Sequence, residues 1–214
     1  MKFLFIPSVL LFLLCFSTVN SKDVNIFEFT EEEFKTLKVK KVKGETTWLL
    51  NYNENGNFIR SEALGVGSGL GKEVKINLNK TPYLNITWKV EKDLAGINES
   101  SKKGHDYAAR VFVIKRTGST MLSNRAICYV FSSNNNIGEN WRSPYTKKSV
   151  DYILSTTKKS LNKWVTVKVN VKDHFKKFHK LDVTELTGIA IMTDTDNSKL
   201  KAIAYYQNIY FSAD

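Results

Sequence analysis

Apolar and polar residues alternate with a period of two over much of the chain. That spacing sets one face of a β-strand on a core and leaves the other wet. Val74, Ile76 and Leu78 alternate with Lys75 and Asn77. Leu84, Ile86, Trp88 and Val90 alternate with Asn85, Thr87 and Lys89, and Val165, Val167, Val169 and Val171 with Thr166, Lys168 and Asn170. Residues 107–115, 126–132, 188–193 and 202–212 are apolar more continuously and read as central strands. Turn-forming residues gather between the strands, at 51–57, 65–71, 96–104, 132–140 and 194–199. Only 30–34, where a threonine precedes three glutamates, and 173–179 carry a helical signal. Short strands with one or two short helices predict an all-β fold, a single β-sandwich of jelly-roll kind. No repeat or linker divides it, so residues 22–214 read as one domain.

The first 21 residues stand apart from this pattern. Lys2 is followed by residues 3–16, apolar except for Pro7 and Ser8, and the segment closes on small residues including Val19 and Ser21. This is the layout of a cleavable secretory signal, and the apolar run is too short to span a bilayer. Leu13 and Leu14 ahead of Cys15 do not suit a lipid anchor on that cysteine. The expectation is export to the periplasm or the outside, with no membrane span after cleavage. Cys128 is then the one cysteine of the mature chain, so no internal disulfide forms there. Its strand-like surroundings predict a buried, inert thiol.

The formal net charge is +11, carried by 27 lysines and only 5 arginines among the 214 residues. Nucleic-acid recognition favours the bidentate arginine fork, so the lysine bias and the leader argue against that partner. A lysine-rich surface fits anionic glycans or lipid headgroups; the plainer account is a soluble, lysine-biased surface. Gly65, Gly67, Gly69 and Gly71 before Lys72 suggest a phosphate loop, but Val66 stands where its first glycine belongs and Glu73 follows the lysine. A flexible inter-strand loop accounts for them better.

Candidate chemistry is sparse. Of the three histidines, His174 and His179 are five apart, off a common helical face, so zinc-type ligation is poorly supported. Asp194 and Asp196 in Asp194-Thr195-Asp196-Asn197 suit a hard cation such as calcium, although Lys199 holds the EF-hand glycine position and an Asx-rich turn explains them as well. Asp106 and Arg110 are four apart on a strand and share a face, where Arg110 alternates with Phe112 and Ile114. A guanidinium on an apolar surface needs an anion, for which Asp106, Asp194 and Asp196 are the candidates. The cluster reads either as a structural salt bridge or as a polar site.

From Phe58 onward the chain resembles the bacterial family of unknown function DUF3047. The matching residues are Ser68-Gly69-Leu70, Thr81-Pro82-Tyr83-Leu84, Ile86-Thr87-Trp88-Lys89-Val90, residues 104–113, Tyr129, Ser143-Pro144-Tyr145-Thr146, Trp164, residues 173–178, residues 188–197, Ala204-Tyr205-Tyr206 and Ile209-Tyr210-Phe211. The family pattern often has two acids where His105-Asp106 stand, and Gly-Asp where Gln207-Asn208 stand. More loosely, Trp164–Val167 leading to Asp173-His174-Phe175, and Tyr206–Phe211, are similar to the closing strands of galactose-binding-like jelly rolls and carbohydrate-binding modules. That second likeness implies glycan binding.

The expected function is therefore an exported, non-catalytic binding module with a saccharide or cell-envelope glycan as ligand. Trp141 and Tyr145 would stack on a sugar ring or pack their loop; Asp106, Arg110, Asp194, Asp196 and Asn197 would supply hydrogen bonds. One alternative is glycoside chemistry, with Asp106 and either Asp194 or Asp196 as the carboxylate pair. Another is a structural or protein-interaction component of the envelope.

Overall fold

The computed structural model describes residues 23–120 and 123–214; the leader read at 1–21, with Cys15, lies outside them. The alternating residues sort as their spacing requires. Leu84, Ile86, Trp88 and Val90 are fully buried, while Thr87 and Lys89 between them are half-exposed; Asn85 is the exception, buried and donating to Ser212 Oγ (2.9 Å). The strands are β1 (Val24–Phe27), β2 (Lys38–Lys43), β3 (Thr47–Asn53), β4 (Gly56–Leu64), β5 (Gly67–Asn77), β6 (Tyr83–Lys92) and β7 (Tyr107–Lys115). They continue as β8 (Arg125–Ser132), β9 (Asn140–Arg142), β10 (Ser149–Thr156), β11 (Val165–Asn170), β12 (Glu185–Asp194) and β13 (Lys201–Ser212). Short helices α1 (Glu31–Thr36), α2 (Thr157–Ser160) and α3 (Val171–His179) join some of them.

Among the described residues the strands form two sheets. A six-stranded sheet runs β11-β6-β13-β4-β3, with β1 beside the later half of β13; a seven-stranded sheet runs β2-β5-β12-β7-β8-β10-β9. All pairings are antiparallel except β8 with β10. The inner faces close over Trp88, Tyr129, Phe131, Tyr206 and Phe211. Polar groups between the sheets are paired, as burial demands. The Trp88 indole donates to Ser155 Oγ (3.0 Å), the Tyr206 hydroxyl donates to the Met192 carbonyl (2.6 Å), and the Ser61 and Thr193 hydroxyls bond at 2.7 Å. The architecture is the expected β-sandwich.

Both helical signals fall on helices. Thr30 caps α1, its hydroxyl accepting from the Glu33 N–H (3.1 Å), while Glu33 reaches back to the N–H groups of Glu28 and Phe29; such a cap is worth about 1 kcal/mol. Helix α3 begins at Val171, capped by Asn170, and ends at Lys180 in the left-handed region. The single turn α2 has no matching sequence signal. No helix among the described residues is long and apolar enough to cross a membrane.

Two turn assignments change. The turn at 51–57 narrows to Glu54-Asn55, between β3 and β4. The 65–71 loop is corrected outright: Gly67, Gly69 and Gly71 lie in strand β5, hydrogen-bonded to β2 on one side and β12 on the other. Side chains do not fit there. A Cβ on Gly67 would stand 2.7 Å from the Asp194 Cβ, one on Gly69 2.9 Å from the Ile191 carbonyl oxygen, and one on Gly71 3.0 Å from the Ala190 Cβ. The glycines serve close strand packing, not flexibility.

Candidate functional site

Strand β7 divides its side chains between two environments. Ala109, Val111 and Val113 enter the core, and Arg110, Phe112 and Ile114 face outward. The register carries that outer face across the sheet. Met192, Ala190 and Gly188 of β12 lie opposite Arg110, Phe112 and Ile114. Gly69 and Gly71 of β5 lie opposite Met192 and Ala190, and Lys40 and Lys38 of β2 lie opposite those glycines. On the other flank, Val130 and Cys128 of β8 lie opposite Arg110 and Phe112.

One end of this face is charged and roofed by loops. Arg110 and Asp194 are each 3 % exposed, and Asp194 accepts two hydrogen bonds from the guanidinium, through Nε at 2.9 Å and a terminal nitrogen. Arg110 also donates to the His105 carbonyl (3.3 Å) and lies over the Tyr107 and Phe112 rings. Burial alone would lower the guanidinium; Asp194, with Cys128 and Asp151, outweighs burial and raises it. Burial raises the Asp194 carboxyl against the opposing pull of Arg110. Asp106, 0 % exposed, accepts from the Asn197 N–H and side-chain amide and from the Ser198 N–H at 2.6 Å. His105 Nε2 meets Asp151 Oδ2 at 2.7 Å. Buried Glu99 accepts from the Ser133 N–H and from the side-chain amides of Asn134 and Asn135, tying two loops together.

Carboxylate oxygens of Asp106, Asp194 and Asp196 lie within 4.8 Å of one another. As a donor set they match a hard cation. Both oxygens of Asp194 and both of Asp106 nevertheless already accept protein N–H groups, and Arg110 supplies the positive charge. Tyr145 is 57 % exposed; its hydroxyl donates to Asn197 Oδ1 (2.7 Å) with the Lys102 carbonyl 3.0 Å away, and its ring meets His105 edge-on. Trp141, half-buried on β9 opposite Asp151, packs on Tyr107, Cys128, Val130 and Ile153. Its indole N–H and Asp151 Oδ1 are buried without a partner among the described residues. Burial pushes the Cys128 thiol up, as an inert cysteine requires.

The other end of the face is open. A groove of about 430 Å³ crosses β2, β5, β12 and β7. Gly69, Gly71, Gly188 and Ala190 form its floor, Phe112, Ile114 and Met192 one wall, and Lys38, Lys40 and Val42 the other. The structure thus gathers Asp106, Arg110, Tyr145, Asp194, Asp196 and Asn197 at the loop-roofed end, with Trp141 beside them, and puts none of them in the groove. Sequence reasoning missed the groove. Its signal was present: glycine at every second position from Gly65 to Gly71 is itself a strand period that strips one face of side chains.

A family model described as "Protein of unknown function (DUF3047)" matches residues 32–210. The chain belongs to the DUF3047 family. The match starts well before Phe58, so in this DUF3047 chain the family region takes in α1, the lysine strand β2 and the first hairpin. No curated protein matches it. Among solved structures it is similar to the family 30 carbohydrate-binding module of the cellulosomal cellulase Cel9D-Cel44B of Clostridium thermocellum. The identity is 10 %, coverage is 91 % of this chain and 99 % of that one, and the TM-score is 0.53. It is also similar to a family 11 carbohydrate-binding module from Clostridium thermocellum, in complex with a β-1,3-1,4-mixed-linked tetrasaccharide. There the identity is 10 %, the coverage 89 % and 95 %, and the TM-score 0.50. At such identity the likeness establishes a shared jelly-roll sandwich.

Proposed function

We propose that this DUF3047 protein is an exported, non-catalytic saccharide-binding module whose ligand lies in the groove across the seven-stranded sheet. The observation that carries this is the groove itself: an apolar trough of about 430 Å³, floored by glycine and alanine and walled by Phe112. Its size and lining are those of a small-molecule site. A pyranose ring presents flat C–H faces and a rim of hydroxyls. The bare floor lets such a face approach the backbone, and Lys38, Lys40 and Asn124, which line the same groove, offer polar groups for the hydroxyls. The fold shared with carbohydrate-binding modules supports the reading, and the leader-like residues 1–21 support export. In this reading the Arg110–Asp194 cluster fixes the loops at the groove's end, with Trp141 and Tyr145 holding the roof.

Glycoside hydrolysis by an aspartate pair finds no support in the geometry. It needs two carboxyl groups facing an open cleft and free to exchange protons, whereas Asp106 and Asp194 are buried with every oxygen engaged.

Affinity electrophoresis through gels containing soluble polysaccharides, with and without calcium, tests the proposal. The protein is expected to be retarded by at least one polymer. Ala190→Leu fills the floor from a half-exposed position and abolishes the retardation with the melting temperature preserved. Retardation by no polymer in either buffer, or unchanged retardation of the Ala190→Leu protein, refutes the assignment.

A further inference from the structure

Strand β2 reads Lys-Val-Lys-Lys-Val-Lys and forms the edge of the seven-stranded sheet. Lys38 and Lys40 share a face and lie opposite Gly71 and Gly69. Across a sheet, opposed side chains are the natural place for an ion-pair partner. Here that place is empty because the partner is glycine. Among the described residues Lys38 pairs only with Glu73, at 4.0 Å with both side chains well exposed, and Arg116 draws on the same carboxylate at 3.7 Å. Lys40 forms no ion pair among the described residues. Lys41 and Lys201, by contrast, each have a close carboxylate, Glu45 and Glu62, at 2.6 Å. The groove therefore has an apolar floor and a lip on which one shared carboxylate faces an excess of cations.

We infer that the ligand is an acidic saccharide, a polymer bearing carboxylate or comparable anionic groups; this rests on the saccharide reading of the groove. The sugar rings lie on the glycine and alanine floor, and their anionic substituents meet Lys38 and Lys40 at the lip. Such pairing occurs in solvent, so salt screens it.

The test compares retardation of the full chain by carboxymethylcellulose and by uncharged hydroxyethylcellulose, and by polygalacturonate and its methyl ester. The expected result is binding to each acidic polymer about tenfold tighter than to its neutral counterpart, weakening as salt rises. The Lys38→Gln/Lys40→Gln protein, altered at exposed positions only, loses that preference. The Lys158→Gln/Lys159→Gln protein, with the same charge removed from helix α2, keeps it. Equal binding to acidic and neutral polymers overturns the inference and leaves the saccharide reading standing. So does an equal loss in both double variants, which traces the preference to diffuse net charge. Binding to neither kind of polymer overturns both.

Discussion

The two ends of the outer face of the seven-stranded sheet make opposite use of their side chains. At the roofed end, Arg110, Asp106 and Asp194 are almost wholly buried; every carboxylate oxygen of the two aspartates accepts a hydrogen bond within the protein, and Arg110 donates to Asp194 and the His105 carbonyl. At the open end, the sheet offers its smallest residues, an aromatic wall and lysines with little acid to meet. A dense set of charged residues attracts notice as a site, but a saturated network has nothing left to give a ligand. Unused capacity lies where side chains are missing. The difference teaches that satisfaction, and not charge density, separates scaffold from binding surface.

Arg110 offers the largest effect with which to break that comparison. Arg110→Met leaves Asp194 buried with its main partner gone, and removing one member of a buried ion pair costs about 3–5 kcal/mol. Urea unfolding is expected to show a loss of that size. The Arg110→Met/Asp194→Leu protein is expected to recover much of it, because no charge is then stranded. At temperatures where either protein is folded, polysaccharide retardation persists. A stable Arg110→Met protein that no longer binds would make the cluster a contact site and erase the distinction between the two ends.

How far this arrangement was legible depends on what each segment buries. Strand β6 has a dry and a wet face, so its alternation gives it away. Strand β2 is exposed at all six positions and has no apolar face to betray it. The partner of Arg110 was narrowed to three aspartates, since an apolar strand face demands an anion; choosing Asp194 needed the pairing of β7 with β12, which lies in no local pattern. The glycine strand was misassigned because glycine's usual message is freedom, while at Gly67, Gly69 and Gly71 it answers steric contact with β12. The groove is invisible to any search for reactive residues, being made of their absence.

A pH scan sharpens the comparison by asking which region governs acid lability. His174 on α3 packs against Tyr152 (4.4 Å between ring centroids) and lies 3.3 Å from the Tyr129 hydroxyl. Burial, helped by Lys177, lowers it to about 4 from the usual 6.5. The unfolded chain therefore binds more protons than the folded one between those values. Stability from this group is complete above pH 6.5 and is lost as pH falls to about 4. His179 is shifted the same way, also by burial. The melting temperature is expected to climb from pH 4 to 6.5 and to climb less in His174→Gln, which keeps an acceptor for Tyr129. An undiminished climb in that variant would place the acid sensitivity elsewhere, with His179, shifted the same way, the first group to test.

Trp141 provides the smallest expected change, and it tests a gap in the satisfied end. Its indole N–H is buried without a partner among the described residues, on the strand position opposite Asp151, whose Oδ1 is equally unpartnered there. An orphaned donor costs about 1–3 kcal/mol. Trp141→Phe removes that donor together with some apolar contact, worth roughly 25 cal/mol per Å². The two terms oppose each other, so stability is expected to move by less than about 1 kcal/mol in either direction. A loss of several kcal/mol would mean that the N–H has a partner, such as a bridging water reaching Asp151, and the roofed end would then be saturated throughout. Loss of polysaccharide retardation with stability intact would mean instead that Trp141 stacks on the sugar, and the binding surface would extend from the groove under the loops.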